Sequence, residues 1–224
     1  MKSLLYEITP FTLLDYADHI AAIFWFPGCN MRCAYCYNPH IIYGKASVTE
    51  ADALSFLVRR KLFLEAVVMS GGECTIHPGL FSLCEKVRKL DLKVKVDTNG
   101  SRPRVMERLI ENDLVNFISL DFKATQRSYK TVTKSSLYDP FMVTLKLLIR
   151  SGVPFEVRTT AHRNLISINE LVDMRMLLND NGYQGDLYIQ NAVNHTKYLD
   201  ENLPSNNPYT PQELSTLPGI AWRA

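Results

Sequence analysis

Six short runs rich in β-branched and aromatic residues recur along the chain, separated by longer stretches with helical spacing of apolar residues. The runs are AAIFWF (21–26), EAVVMS (65–70), KVKVDT (93–98), VNFISLDF (115–122), PFEVRTT (154–160) and DLYIQN (186–191). Helices are expected between them at 49–61, 78–90, 103–112, 139–151 and 167–180. Thr49 with Asp52 suits a helix start, Pro103 a first turn, and Gly152 and Gly182 helix ends. Repeated alternation of this kind predicts an α/β fold of parallel strands. Six βα units can form an open doubly wound sheet or a partial (βα)6 barrel, and periodicity alone does not choose. In both, loops at the carboxyl ends of the strands make the ligand-binding face. The unusual groups all fall there: CNMRCAYC after the first strand, GGE after the second, DTNG at the third, DFK at the fourth, Arg158 on the fifth and Gln190-Asn191 at the sixth.

With 224 residues, 46% of them hydrophobic, the chain is expected to form one main domain over 1–195. A Pro-rich, loosely structured extension over 196–224 carries Pro204, Pro208, Pro211 and Pro218, with a short helix near 211–216. A net charge of +2 without any block of like charges gives no electrostatic footprint for nucleic acid or an anionic membrane, so neither is expected as a partner. No apolar run reaches transmembrane length, and Glu7, Asp15 and Asp18 make the N-terminus unlike a signal peptide; the expected location is cytoplasmic.

Three of the five cysteines, Cys29, Cys33 and Cys36, fall within eight residues at C-x3-C-x2-C spacing. An odd total and a tight cluster suit metal ligation in a reducing compartment better than disulfides. Three thiolates can hold three corners of a four-iron cluster and leave the fourth iron open to a chelating cofactor or substrate. Alternatively, His40 completes a Cys3His zinc site. Cys74 and Cys84 read as core or loop thiols.

The cysteine spacing, with Tyr35 just before the third cysteine, is followed by Ser70-Gly71-Gly72-Glu73 after a strand. This order resembles the radical S-adenosylmethionine (radical SAM) superfamily. The resemblance implies a 4Fe-4S cluster on Cys29, Cys33 and Cys36. S-adenosyl-L-methionine would be chelated at the open iron, where one electron cleaves it to a 5′-deoxyadenosyl radical that abstracts hydrogen. The radical is borne by the cofactor, so no catalytic side chain is implied. Around the cofactor it implies Tyr35, Gly71, Gly72, Glu73, Asp97, Asn99, Lys123, Arg158 and Gln190. Gly71 and Gly72 would admit the methionyl moiety, Glu73 would accept from its ammonium and Lys123 would neutralise its carboxylate. Asp97, Thr98 and Asp121 would hold a monovalent cation. Read as residues alone, a glycine pair ending a strand is equally a turn, and Gln190 and Asn191 are equally ordinary loop residues. Arg158, a cation within a β run, must face a polar cavity or a rim. Cys74 stands where the superfamily often has proline.

The wider stretch LLDYADHIAAIFWFPGCNMRCAYCYNP resembles the activating proteins of anaerobic ribonucleoside-triphosphate reductase, although Ala17-Asp18 replaces a common Pro-Gly pair. That likeness, over roughly residues 12–195, implies a large glycyl-radical subunit as partner and a flavodoxin or ferredoxin-type electron donor. Activators of a formate-lyase type and small-molecule enzymes of the queuosine-precursor kind are the alternatives.

Overall fold

In the first β run every residue except Trp25 is buried, and Ala66 to Met69 are buried throughout. Strands covered on both faces read as continuous apolar runs. The structure, a computed structural model, describes residues 3–194 and 197–223. The expected boundary at 195–196 lies outside the described residues. The chain divides into two compact units, one of Met1–Asn30, His40–Thr98 and Arg102–Ser119, the other of Met31–Pro39, Asn99–Ser101 and Leu120–Ala224.

In the first unit β1 (Ser3–Leu5) pairs antiparallel with β4 (Val48–Thr49). Strands β2 (Glu7–Thr12), β3 (Ala21–Phe26), β5 (Ala66–Gly71) and β6 (Lys93–Thr98) lie in the order β2-β3-β5-β6. The β2–β3 pair is antiparallel; β3–β5 and β5–β6 are parallel. Helices α1 (Pro39–Tyr43), α2 (Glu50–Arg60), α3 (Leu80–Arg88) and α4 (Pro103–Glu111) intervene. Helix α2 starts at the expected capping box, with Asp52 N donating to Thr49 Oγ1 at 3.1 Å and Thr49 N to Asp52 Oδ2 at 3.3 Å. Phe24, Met69, Leu83, Val96 and Met106 are completely buried.

Strand β7 (Phe117–Asp121) carries the chain from the first unit into the second. The second contains α5 (Gln126–Thr133), α6 (Tyr138–Ser151), β8 (Phe155–Ala161), α7 (Ile168–Asp180), β9 (Leu187–Asn191), α8 (Pro211–Ser215) and β10 (Ile220–Trp222). The β8–β9 and β9–β10 pairs are both parallel. Gly152 ends α6 at φ 73° and Gly182 follows α7 at φ 89°, left-handed positions where glycine carries no Cβ penalty. Phe122 and Phe141 stack with ring centroids 4.7 Å apart within the core.

Alternating strands and helices with mostly parallel pairing make this the α/β fold expected from the sequence. Short β1, β4 and α1 add to the expected elements, and β2, α5 and the tail depart from the expectation in ways that have a physical reason. Strand β2 contains Pro10, and it sits at the edge of its sheet, where a missing N–H is tolerated. Helix α5, QRSYKTVT, is poor in strong helix formers. It starts because Glu170 of α7 accepts from Thr125 N at 2.8 Å, Thr125 Oγ1 at 2.7 Å and Ser128 Oγ at 3.0 Å. The tail, expected to be loose apart from its short helix, supplies β10, so its last described residues are paired strand. Among the described residues no helix is long and apolar enough to cross a membrane.

Candidate active site

Strand β5 ends in the glycine pair, and protein backbone leaves no room for anything larger. A Cβ on Gly71 would lie 2.2 Å from Phe26 O, and one on Gly72 1.9 Å from Gly28 O. Gly72 N donates to Phe26 O at 2.9 Å and Glu73 N to Gly28 O at 3.0 Å. The GGE turn is therefore stitched to the segment that leads into Cys29. Close approach of two chain segments explains the glycines before any ligand is considered.

Glu73 is buried, and its Oε1 accepts from Thr75 N at 3.1 Å, Thr75 Oγ1 at 2.5 Å and Thr98 Oγ1 at 2.8 Å. Thr98, at the end of β6, thus helps aim the carboxylate. Asp97 Oδ2 accepts from Ser70 Oγ at 3.2 Å, and its Oδ1 lies 3.0 Å from Lys95 Nζ. Cys74 is fully buried, with Sγ 3.4 Å from Asp97 O; burial, reinforced by the Glu73 carboxylate, pushes its thiol well up. Burial also raises Cys84, to about 12. Neither thiol is poised as a thiolate. His40, the fourth ligand of the zinc alternative, lies in α1 with its ring centroid 6.0 Å from that of Tyr6.

In the second unit the rest of the cysteine loop is pinned by backbone hydrogen bonds. Arg32 N donates to Thr133 O and Ala34 N to Val132 O, both at 2.9 Å; Leu199 N donates to Cys36 O at 2.9 Å and Asp200 N to Ala34 O at 3.0 Å. Helix α5 and the tail hold the loop from two sides. The sequence carried no signal of that task for the tail. Tyr35 is 3% exposed, and its hydroxyl has no hydrogen-bond partner among the described residues. Burial raises its phenol well above the ordinary range, opposed by Lys123. A buried polar group without a partner is rare in a finished structure and marks a place where another polar group belongs.

Asp121, at the end of β7, lies between two cations: Arg158 Nε donates to Oδ1 at 2.7 Å and Lys123 Nζ to Oδ2 at 3.1 Å. Arg158 of β8 thus faces a carboxylate, which resolves the cation in a β run. Burial pushes the Asp121 carboxyl up, but Arg158 and Lys123 outweigh it and hold it at about 2. Its folded value lies below the ordinary 3.8, so its stabilisation is complete above that value and is lost as pH falls towards 2. We expect Asp121→Asn to cost the unloaded protein about 2 kcal/mol at pH ~5, the gap narrowing to about half near pH ~3. Urea unfolding of both proteins across that range checks this. Gln190 and Asn191 line a groove with Tyr37, Thr160, Trp222 and Arg223, and the Asn191 side chain bonds Tyr209 N and O, each at 2.9 Å. Asn99 is buried, its Oδ1 accepting from Ser101 N at 3.0 Å.

Residues 23–174 match the Radical SAM superfamily. The chain belongs to that superfamily. It is a radical SAM enzyme, and membership implies an iron–sulfur cluster and S-adenosylmethionine. A protein of Methanocaldococcus jannaschii named as a glycyl-radical enzyme activating enzyme is 28% identical over 187 residues, 80% of this chain and 77% of that one. The pyruvate formate-lyase-activating enzyme of Clostridium pasteurianum is 27% identical over 62% of this chain and 60% of its own. The pyruvate formate-lyase 1-activating enzyme of Escherichia coli K12 is 32% identical over 46% of each. The fold is shared with Streptococcus suis SuiB bound to its precursor peptide SuiA, at a TM-score of 0.72 and 15% identity, over 90% of this chain and 48% of that one.

The residues of this radical SAM enzyme fit the implied groups. Cys29, Cys33 and Cys36, none of them in a disulfide, lie on one short loop and are soft donors of the kind iron–sulfur clusters take. Among the described residues the buried Tyr35 hydroxyl, next in sequence to Cys36, has no hydrogen-bond partner. Among the described residues no three His, Cys, Asp or Glu side chains converge as ligands of one ion would. Lys95 was not among the expected site residues. Lys95, alternate to Asp97 along β6, shares its face of the strand, and that period-2 spacing was the signal.

Proposed function

We propose that this radical SAM enzyme generates a glycyl radical on a partner enzyme, and that the partner is anaerobic ribonucleoside-triphosphate reductase. The observation that carries the activating role is the similarity to the M. jannaschii protein, which runs over most of both chains. The choice of reductase rests on the sequence of the strand running into GCNMRCAYCYNP. The radical SAM domain is assigned to 1–195 and the extension to 196–224.

In this reading Cys29, Cys33 and Cys36 hold the cluster. Bound there, the cluster and S-adenosylmethionine supply one-electron reductive cleavage of the sulfonium and removal of a hydrogen atom from a glycine Cα, the electron coming from a flavodoxin or ferredoxin-type donor. The chain's own residues position and exclude water. Glu73, fixed by Thr75 and Thr98, accepts from the methionyl ammonium. Lys123, held protonated by Asp121, faces the methionyl carboxylate. Gly71, Gly72, Asp97, Asn99, Arg158, Gln190 and Tyr35 complete the surround. A glycine Cα is a favourable target because flanking amides stabilise its radical, which leaves the enzyme mainly a positioning task.

The similarity to two pyruvate formate-lyase activators favours a formate-lyase type partner as the second reading. The test is anaerobic incubation of reconstituted enzyme with S-adenosylmethionine, a one-electron donor and each candidate partner, followed by electron paramagnetic resonance. A glycine-centred signal on the reductase alone is expected. A signal on the formate-lyase alone selects the second reading, and cofactor cleavage with no protein radical on either points to a small-molecule substrate.

A further inference from the structure

Buried lysines are rare, because an ammonium taken out of water must find an acid or give up its proton. Lys95 is such a residue. Its side chain is 3% exposed, its Nζ lies 3.0 Å from Asp97 Oδ1, itself on a side chain 8% exposed, and it also donates to the Asp15 carbonyl. The arrangement is built into β6: residues two apart on a strand share a face, so the ammonium is tethered next to the carboxylate it serves. Ser70 supplies the other carboxylate oxygen with a donor. Asp97 is thus matched by a full positive charge belonging to the chain.

A monovalent cation held on carboxylates is favoured where those acids carry more negative charge than the fixed cations beside them. The acids on which the resemblance would place one lack that excess. Asp97 already faces Lys95, and Asp121 faces both Lys123 at 3.1 Å and Arg158 at 2.7 Å. A further cation against Asp97 would meet the repulsion of a fixed ammonium at short range, where charges in a buried setting interact strongly. We propose that Lys95 is the resident counter-ion of Asp97 and takes the place of a bound monovalent cation, so that this enzyme binds S-adenosylmethionine without sodium or potassium. Lys95 is a positioning residue: with Ser70 it fixes where the Asp97 carboxylate points, and it touches no reacting atom.

The test compares wild type with Lys95→Ala in potassium and in choline buffer at equal ionic strength, reading the thermal midpoint of the unloaded protein and S-adenosylmethionine binding to the reconstituted one. Wild type should give the same midpoint and the same affinity in both buffers. In choline, Lys95→Ala should melt about 10 °C lower than wild type. In potassium it should regain at least about 3 °C of that loss and recover binding about tenfold, because a small cation can enter the space the ammonium left. A wild-type midpoint or affinity that depends on potassium overturns the proposal, as does a folded Lys95→Ala protein indifferent to potassium. If Lys95→Ala does not fold, Lys95→Met/Asp97→Asn decides. Recovery of a folded protein on removing both charges supports the counter-ion role, and failure to recover overturns it. Neither arm uses a partner enzyme, so the outcome is independent of which glycine is the target.

Discussion

Cys33→Ala, reconstituted anaerobically with iron and sulfide, is expected to hold the cluster more than about 100-fold more weakly than wild type. Loss of a mere outer-shell partner already costs up to that much, and Cys33 is a direct donor in the proposed site. S-adenosylmethionine cleavage should fall to background, while the far-ultraviolet circular dichroism stays unchanged. The loop backbone explains the retained fold: it is pinned by Arg32, Ala34, Cys36 and Asp200 through main-chain groups that an alanine keeps. Cys74→Ala and Cys84→Ala provide the contrast. Both thiols are completely buried in the first unit, far from a thiolate state, and each substitution should reduce stability by about 1–2 kcal/mol yet leave iron content at the wild-type level. Iron and sulfide analysis with the visible absorbance of each variant settles the matter. Iron loss in Cys74→Ala equal to that in Cys33→Ala would remove the C-x3-C-x2-C loop from its place in the site.

The parts of the molecule that depend on local sequence were readable before the fold. Helix α2 begins where Thr49 and Asp52 form their capping box, and α4 begins at Pro103, because caps act over three or four residues. Parallel strands β3 and β5 announced themselves because burial on both faces demands unbroken apolar runs. Helix α5 was not readable: its stabilising carboxylate, Glu170, lies more than forty residues away. Strand β10 was hidden for the same reason, since IAW becomes strand only by pairing with Leu187–Ile189.

The site shows the same division. Its sulfur donors, glycine turn and charged strand ends are spaced along the chain by the βα repeat, so the residue types could be listed. What each contacts could not. The Glu73 carboxylate reads as a lone acceptor in sequence and is in fact held by Thr75 and Thr98. Asn191 reads equally as a ligand contact or an ordinary loop residue, and its side chain bonds Tyr209 N and O. Tail residues Leu199 and Asp200 carry no motif, yet their N–H groups hold the cysteine loop. Hydrogen-bond partners far apart in sequence leave no period or spacing to detect.

Gly72→Ala should be among the most damaging single methyls in the protein. Its Cβ would sit 1.9 Å from Gly28 O and 2.6 Å from Gly28 C, contacts that only movement of main chain can relieve. Overpacking of side chains alone costs about 1–3 kcal/mol, and here the obstacle is a backbone carbonyl that also accepts from Glu73 N at 3.0 Å. We expect a loss of about 3 kcal/mol, a drop of roughly 6–12 °C in thermal midpoint for a chain of this size. The functional consequence should exceed the loss of stability, because the displaced segment leads directly to Cys29. Even at a temperature where the variant is fully folded, reconstituted Gly72→Ala should bind less cluster and should bind S-adenosylmethionine at least about tenfold more weakly. Gly152→Ala controls for the general cost of removing a glycine: nothing lies within 4 Å of its Cβ, so only its left-handed φ of 73° is strained, and it should lose about 1 kcal/mol while keeping full cluster content. Equal cluster content in the two variants would show that the stitch between the GGE turn and the Phe26–Gly28 segment does not position the cysteine loop.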